Sequence, residues 1–222
     1  MNTIIEILII VTGASQMTSG DKTGVWLEEF AVPYIKFKKE GFEVTVATIN
    51  GGVVPIDPAS GDGAKPEWKE AIDALKNAQK LETIDSDKYA AVYMPGGHGA
   101  MFDLAEDKVV KETLAKFADA GKVISAVCHG PASLVGVKLK NGKYLVEGKK
   151  LTSFTNSEED EVQKSDKMPF MLESKLIEQG AAFQAKGNWV DNVVVDGNLI
   201  TGQNPSASAS IADAIIKSVK AQ

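Results

Sequence analysis

The sequence predicts an α/β protein, a three-layer sandwich whose mostly parallel sheet carries helices on both faces. Three observations predict it. Short apolar, β-branched runs alternate with longer segments of helical period, the pattern of strand–helix units. Two of the runs lead into glycine-rich loops, Pro95-Gly96-Gly97-His98-Gly99 and Cys128-His129-Gly130-Pro131, at the carboxyl ends where such sheets place their sites. The length of 222 residues suits one domain, residues 1–222, with a sizeable core.

The first strand is read at Ile4 to Thr12, followed by a polar loop from Ala14 to Thr23. Gly24 to Lys39 reads as a helix because Trp26, Phe30, Pro33, Tyr34 and Phe37 fall on one face. Pro33 has no N–H to offer the Glu29 carbonyl, so a kink is expected there. Glu43 to Thr48 is the second strand, and Asn50 to Ser60 is a loop punctuated by Pro55, Asp57 and Pro58. Glu67 to Lys80 reads as a helix with Lys65-Pro66 at its start. Ala90 to Met94 is a strand, and Asp103 to Ala120 a helix with Val110, Leu114 and Phe117 inward and Gly121 after its end. Val123 to Val127 is a buried strand. Beyond it, Lys143 to Val146 and Leu151 to Phe154 read as a hairpin, and Thr155 to Asp166 as an acidic loop. Pro169 and Gly180 bracket a helix. Val193 to Val195 and Leu199 to Thr201 form a hairpin about Asp196-Gly197-Asn198, and Pro205 to Lys220 closes the chain as a helix.

Composition narrows the function classes. A net charge of −6 with no dense basic cluster argues against a nucleic-acid partner. No apolar run approaches the roughly 18 residues of a membrane span, so no membrane partner is expected. The N-terminal stretch lacks basic residues before its apolar run, and Glu6 interrupts it, so it reads as a strand rather than a signal peptide. A single cysteine leaves no internal disulfide and points to the cytoplasm.

That cysteine, Cys128, stands at the end of a predicted strand with Ala126 and Gly130 two positions to either side. The spacing is that of a nucleophile elbow, where strand and following helix approach too closely for larger residues. A helix N-terminus beside the thiol is expected to hold it below its free value of about 8.5. The bland alternative is a small buried hydrophobe. His129 adjoins it, and the other histidine, His98, also lies in a sheet-end loop. The run Glu158-Glu159-Asp160-Glu161 is the obvious source of a carboxylate to orient His129, or else a solvated charged loop. The backbone from Gly97 through His98 to Gly99 is a candidate oxyanion hole, with His98 shaping the loop rather than acting as a base. A metal held by Cys128, His129, His98 and a glutamate has no standard ligand spacing, so none is expected. No cofactor is expected either: Gly61-Asp62-Gly63-Ala64-Lys65 lacks the spacing of a phosphate loop.

The segments KTGVWLEEFAVPY, GGVVPIDPAS, MPGGHGAMFDL, AVCHGPASL, KKLTSFTNSEE and TGQNPSAS occur in this order. On these the chain resembles the ThiJ/PfpI superfamily, relatives of the class I glutamine amidotransferase domain with its flavodoxin-like fold. The branch it is most similar to is that of heat-shock chaperones and glutathione-independent glyoxalases (glyoxalase III). The resemblance implies Cys128 as nucleophile and His129 as its partner. It also implies a protonated helix acid four residues before Pro33, which is Glu29, hydrogen-bonded to the cysteine sulfur. On a helical wheel Glu29 lies about 80° from the centre of the apolar stripe, and Glu28 points away from it. A third triad member follows the FTN segment; Glu159 is the best match, with Glu158 beside it as the other register. The implied activity is conversion of methylglyoxal, a 2-oxoaldehyde, to lactate in the manner of a D-lactate dehydratase. Deglycation of glycated amines starts with the same step. A stress chaperone, a cysteine peptidase or amidase, and a redox-sensing thiol are the other readings. The resemblance also implies a homodimer. The chain is too short for the added metal-bearing elements of the larger bacterial chaperones, so neither zinc nor strong holdase action is expected.

Overall fold

The computed structural model describes residues 4–222. In chain order come β1 (Glu6–Ile10), α1 (Leu27–Lys39), β2 (Glu43–Thr48), α2 (Pro58–Gly61), α3 (Lys69–Ala74), β3 (Gln79–Lys80), β4 (Ala91–Met94), α4 (Lys108–Asp119) and β5 (Val123–Val127). They are followed by β6 (Lys150–Leu151), α5 (Asn156–Glu161), α6 (Leu172–Glu178), β7 (Ala182–Phe183), β8 (Val193–Asp196), β9 (Leu199–Gly202) and α7 (Ser208–Lys220). No helix among the described residues is long and apolar enough to cross a membrane.

Seven strands form one sheet in the order β3-β2-β1-β4-β5-β9-β8. Every neighbouring pair is parallel except β8 and β9, which form the expected hairpin at one edge. Strand residues point alternately to the two faces, and β1 shows the result. Ile7 and Ile9 join a core with Phe30 and Phe37 of α1, Ala71 of α3 and Ile211 and Ile215 of α7. Leu8 and Ile10 join a second core with Val110, Leu114 and Phe117 of α4 and Leu172 and Leu176 of α6. Three layers follow from this division, as the alternating pattern predicts.

Strand order reverses at β1 and β4, the place where such sheets open a crevice beyond their carboxyl ends. Register then sets the site: Met94 of β4 pairs with Ala126 of β5, and Val127 pairs with Gly202 of β9. The loops after β4, β5 and β9 therefore emerge at one level. Helix α1 runs through Pro33 without a break, and the Tyr93 hydroxyl donates to the orphaned Glu29 carbonyl at 2.6 Å. The backbone group that proline leaves unpaired is thus satisfied from the sheet.

Four elements differ from the sequence expectation. The helix read at 67–80 is a 3₁₀ turn, Pro66–Trp68, plus the short α3, because Gln79 and Lys80 are taken as the edge strand beside β2. The hairpin read at 143–154 does not form. Lys150 and Leu151 pair in parallel with Ala182 and Phe183 in a separate two-stranded sheet. The acidic loop read at 155–166 contains α5, started by a capping box in which Thr155 and Glu158 satisfy each other's amides. The segment after Cys128 is a single 3₁₀ stretch, Gly130–Leu134, rather than an α-helix.

Candidate active site

Cys128 leaves β5 with φ +59°, a left-handed conformation that a non-glycine residue adopts only when its neighbours enforce it. Here both sides do. Its amide donates to the Gly202 carbonyl at 3.0 Å, and its carbonyl accepts from the Phe154 amide at 2.9 Å. Gly130 is required by close approach: a Cβ there would lie 2.1 Å from the Met94 carbonyl oxygen. Gly97, at φ +95°, is equally confined, since its Cβ would lie 2.1 Å from the Gly24 carbonyl oxygen. The chain needs small residues here because the β4 loop, the β5 loop and the start of α1 meet backbone to backbone.

The side chains converge behind the thiol. His129 Nδ1 lies 3.3 Å from Cys128 Sγ, and its Nε2 lies 2.6 Å from Glu159 Oε2. The other carboxylate oxygen, Oε1, lies 2.7 Å from His98 Nε2. An ionised carboxylate only accepts, so both Nε2 atoms carry hydrogen; neutral His129 then turns a bare Nδ1 lone pair toward the sulfur. The imidazoles of His98 and His129 lie 4.1 Å apart between centroids, and Phe154 covers His129 at 4.6 Å. Burial acts to raise the Glu159 carboxyl, but His129 and His98 outweigh it and hold it well below the usual carboxylate range. Burial, then the nearness of His129, pushes His98 down to about 4, so it is neutral at pH 7.

Glu29 approaches from the other side, fully buried. Its Oε2 accepts from the Gly96 amide at 2.8 Å, while Oε1 has no partner of hydrogen-bonding geometry. Burial lifts this carboxyl to about 8, against smaller opposing contributions from Cys128 and the Gly96 amide. It is therefore protonated at neutral pH and aimed at the thiol. Its neighbour Glu28 is half-buried on the helix flank.

The thiol itself departs from expectation. Burial raises its pKa well above the ordinary value, Glu29 raises it further, and a hydrogen bond from the Gly97 amide acts the other way. A five-residue 3₁₀ stretch lacks the run of aligned peptide dipoles that a helix N-terminus would bring. Ionisation of Cys128 thus needs a base, and His129 Nδ1 is the base within reach.

Three predicted positions have other surroundings. His98, read as loop shape, shares the triad carboxylate, while Gly99 packs on Thr12 and does not line the cavity. Glu158, the alternative register, is fully buried and faces away from the histidines. Its Oε2 accepts from the amide and hydroxyl of Thr155, and its Oε1 from the Trp189 amide, Asn204 Nδ2 and Gln203 Nε2. The capping box Thr155-x-x-Glu158 was the sequence signal for that role. For His98 there was none, because its partner is 61 positions away.

His98, His129 and Glu159 also place three donor atoms within 4.8 Å of one another. The Nε2–oxygen separations of 2.6 and 2.7 Å are hydrogen-bond lengths. Ligand atoms around a tetrahedral zinc at about 2.0–2.1 Å stand about 3.3 Å apart. As folded, the cluster is linked by hydrogen bonds of a length that suits proton transfer.

In front of the thiol lies a cavity of about 220 Å³, walled by Trp26, Phe154, Val162, Trp189 and Pro205 with His98, Cys128 and His129 within it. This is smaller than the roughly 300–1,000 Å³ of pockets for drug-sized ligands. The site is that of a cysteine–histidine–glutamate protein on a parallel α/β sheet, with a second acid on the opposite side of the sulfur. Residues 22–218 match the DJ-1/PfpI family, and the chain belongs to it. Glyoxalase 3 of Candida albicans is 32% identical over 96% of this chain and 98% of its own length. The glutathione-independent glyoxalase HSP31 of Saccharomyces cerevisiae is 30% identical over 97% of this chain and 98% of its own. The crystal structure of Candida albicans glyoxalase III superposes with a TM-score of 0.87 at 30% identity, covering 97% of this chain and 98% of that one.

Proposed function

We propose that this protein is a glutathione-independent glyoxalase that converts methylglyoxal and water to lactate, a lyase of the D-lactate dehydratase type. The observation that supports it most is the flanking of one thiol by a base and a neutral acid: His129 Nδ1 at 3.3 Å and the protonated Glu29. Isomerising a 2-oxoaldehyde needs both, because a proton must leave one carbon and arrive at the next.

In the first step His129 Nδ1 takes the thiol proton, and the sulfur attacks the aldehyde carbon. The C–S bond forms, the carbonyl pair moves to oxygen, and protonation there gives the hemithioacetal. Glu159 stabilises the imidazolium through Nε2. The hemithioacetal carbon then loses its proton to the acid–base pair, an enediol forms, and Glu29 delivers a proton to the neighbouring carbon. That carbon is reduced and the first one oxidised to a thioester, so no external oxidant is consumed. Water, activated by His129, cleaves the C–S bond and releases lactate with the thiol regenerated. The Gly97 amide, which reaches the sulfur, is positioned to steady charge developing beside it.

A small, apolar cavity suits a three-carbon dicarbonyl better than an extended peptide, which favours this reading over a peptidase. A catalytic thiol that must stay reduced fits the cytoplasm. The test is lactate formation from methylglyoxal without glutathione, read with enantiomer-specific lactate dehydrogenases. The parent should form D-lactate and Cys128→Ser none; equal rates from both would sink the proposal.

A further inference from the structure

Trp189 is a part of the cavity wall that the chemistry above leaves unused. Its indole is 40% exposed, yet its position is fixed from several directions. The backbone stands at φ +61°. The amide donates to Glu158 Oε1 at 2.9 Å, and indole Nε1 donates to Glu161 Oε1 at 2.9 Å. The preceding residue, Asn188, donates from Nδ2 to Glu161 Oε2 at 2.6 Å. The indole meets the Phe154 ring edge-on with centroids 5.6 Å apart, and Phe154 in turn covers His129.

A bulky side chain in the left-handed region persists only where its surroundings over-determine it, and such residues gather at ligand clamps. The determinants here come from α5, the same short helix that supplies Glu159 to the histidines. One helix therefore orients the base and the outer wall together.

We propose that Trp189 is a specificity-determining residue of the site: its indole, held by Glu161 while Glu158 holds its backbone, sets how well the cavity accepts 2-oxoaldehydes with bulky side groups. This rests on the glyoxalase reading. The cavity of about 220 Å³ beside the thiol takes a methyl substituent with room to spare, and Trp189 is part of the wall that a longer or bulkier substituent meets. Hydrophobic walls of this kind discriminate by about 10- to 200-fold per group admitted or refused.

The experiment compares methylglyoxal with phenylglyoxal in the parent, Trp189→Ala, Trp189→Phe and Glu161→Ala. Trp189→Ala should raise the phenylglyoxal-to-methylglyoxal ratio of kcat/KM by about tenfold or more. Trp189→Phe should fall between it and the parent, and Glu161→Ala, which frees the indole without removing it, should move the ratio the same way by less. A ratio unchanged in all three variants overturns the proposal, whatever happens to the absolute rates. Alkylation of Cys128 by iodoacetamide and by a bulky maleimide reads the same wall without turnover. Trp189→Ala should speed the maleimide selectively; a parallel change for both reagents counts against the proposal. If no protein forms lactate, the glyoxalase reading fails, and the alkylation ratio still decides the role of Trp189. Should Trp189→Ala fail to fold, Trp189→Phe and Glu161→Ala decide it.

Discussion

At position 29 a carboxyl group is buried completely and held at about 8, against an ordinary value of 4.5. The folded chain keeps a proton that the unfolded chain gives up. Stability contributed at low pH is therefore lost as pH rises from about 4.5 to about 8, on the order of 5 kcal/mol in all. Glu29→Gln removes that titration. Its melting temperature should exceed the parent's by an amount that grows across this window, while its turnover falls by about 10² to 10⁴. Differential calorimetry from pH 5 to 9 checks the first, and an identical pH dependence in both proteins would count against it. In the parent, turnover should also decline above about pH 8 as Glu29 loses its proton. The thiol gives a companion prediction. Burial and Glu29 both raise Cys128, so iodoacetamide labelling should show a midpoint above about 8.5, moving down in Glu29→Gln. A midpoint below that value in the parent would restore the helix-activated thiol that the sequence suggests.

Among the elements, α5 is short but sets two neighbouring glutamates to different work. Glu159→Gln puts an amide between two histidines and should cut turnover by about 10² to 10⁴. Glu158→Gln points an NH₂ group at donors from Thr155 or from Trp189, Gln203 and Asn204. It should lower stability by about 1–3 kcal/mol. Urea unfolding beside kinetics separates the two; equal losses of turnover with unchanged stability would refute the division. The elbow offers a contrast of another kind. Gly130→Ala should abolish soluble expression, because its Cβ collides with backbone at 2.1 Å. Gly61→Ala meets no atom within 4 Å and should change stability by less than about 0.5 kcal/mol. The elements differ in how far the sequence made them legible. Strands β1, β2, β4 and β5 and helices α1, α4 and α7 announced themselves because one apolar period ran through each. Cys128 and His129 were legible from the small residues around them, and Glu29 only through the family resemblance, which implies an acid four residues before Pro33. The 155–166 segment hid a helix because its charges masked a Thr155-x-x-Glu158 cap. The pairing of Lys150–Leu151 with Ala182–Phe183 joins distant segments that carry no local signal of each other. Trp189 and His98 enter the site through contacts of the same long-range kind.

On the scale of the whole molecule, two buried titrations oppose each other. His98 stands at about 4 in the fold against 6.5 ordinarily, so its contribution to stability is lost as pH falls from about 6.5 to about 4. Glu29 withdraws stability in the other direction, as pH rises from about 4.5 to about 8. Their slopes cancel in part between about 4.5 and 6.5, and the parent should melt at nearly constant temperature there. His98→Asn should unmask a downward slope with rising pH in that interval; a flat profile in the variant would mean that Glu29 titrates normally, and a slope already present in the parent would mean that His98 does. The sheet has a further consequence, and it concerns the order in which the chain is made. Strand β9 pairs with β5, yet it ends at Gly202, far beyond the Val127 at which β5 ends. Chains emerge from the ribosome N-terminus first, at about 5–20 residues per second. Until Gly202 is out, β5 has one unpaired edge and the Cys128 amide lacks the carbonyl that holds its left-handed turn. A nascent chain that has reached Asn198 already contains Glu29, His98, Cys128, His129 and Glu159, yet it lacks the carbonyl on which the turn at Cys128 depends. Each of these side chains is thus made before the strand that sets the thiol in place.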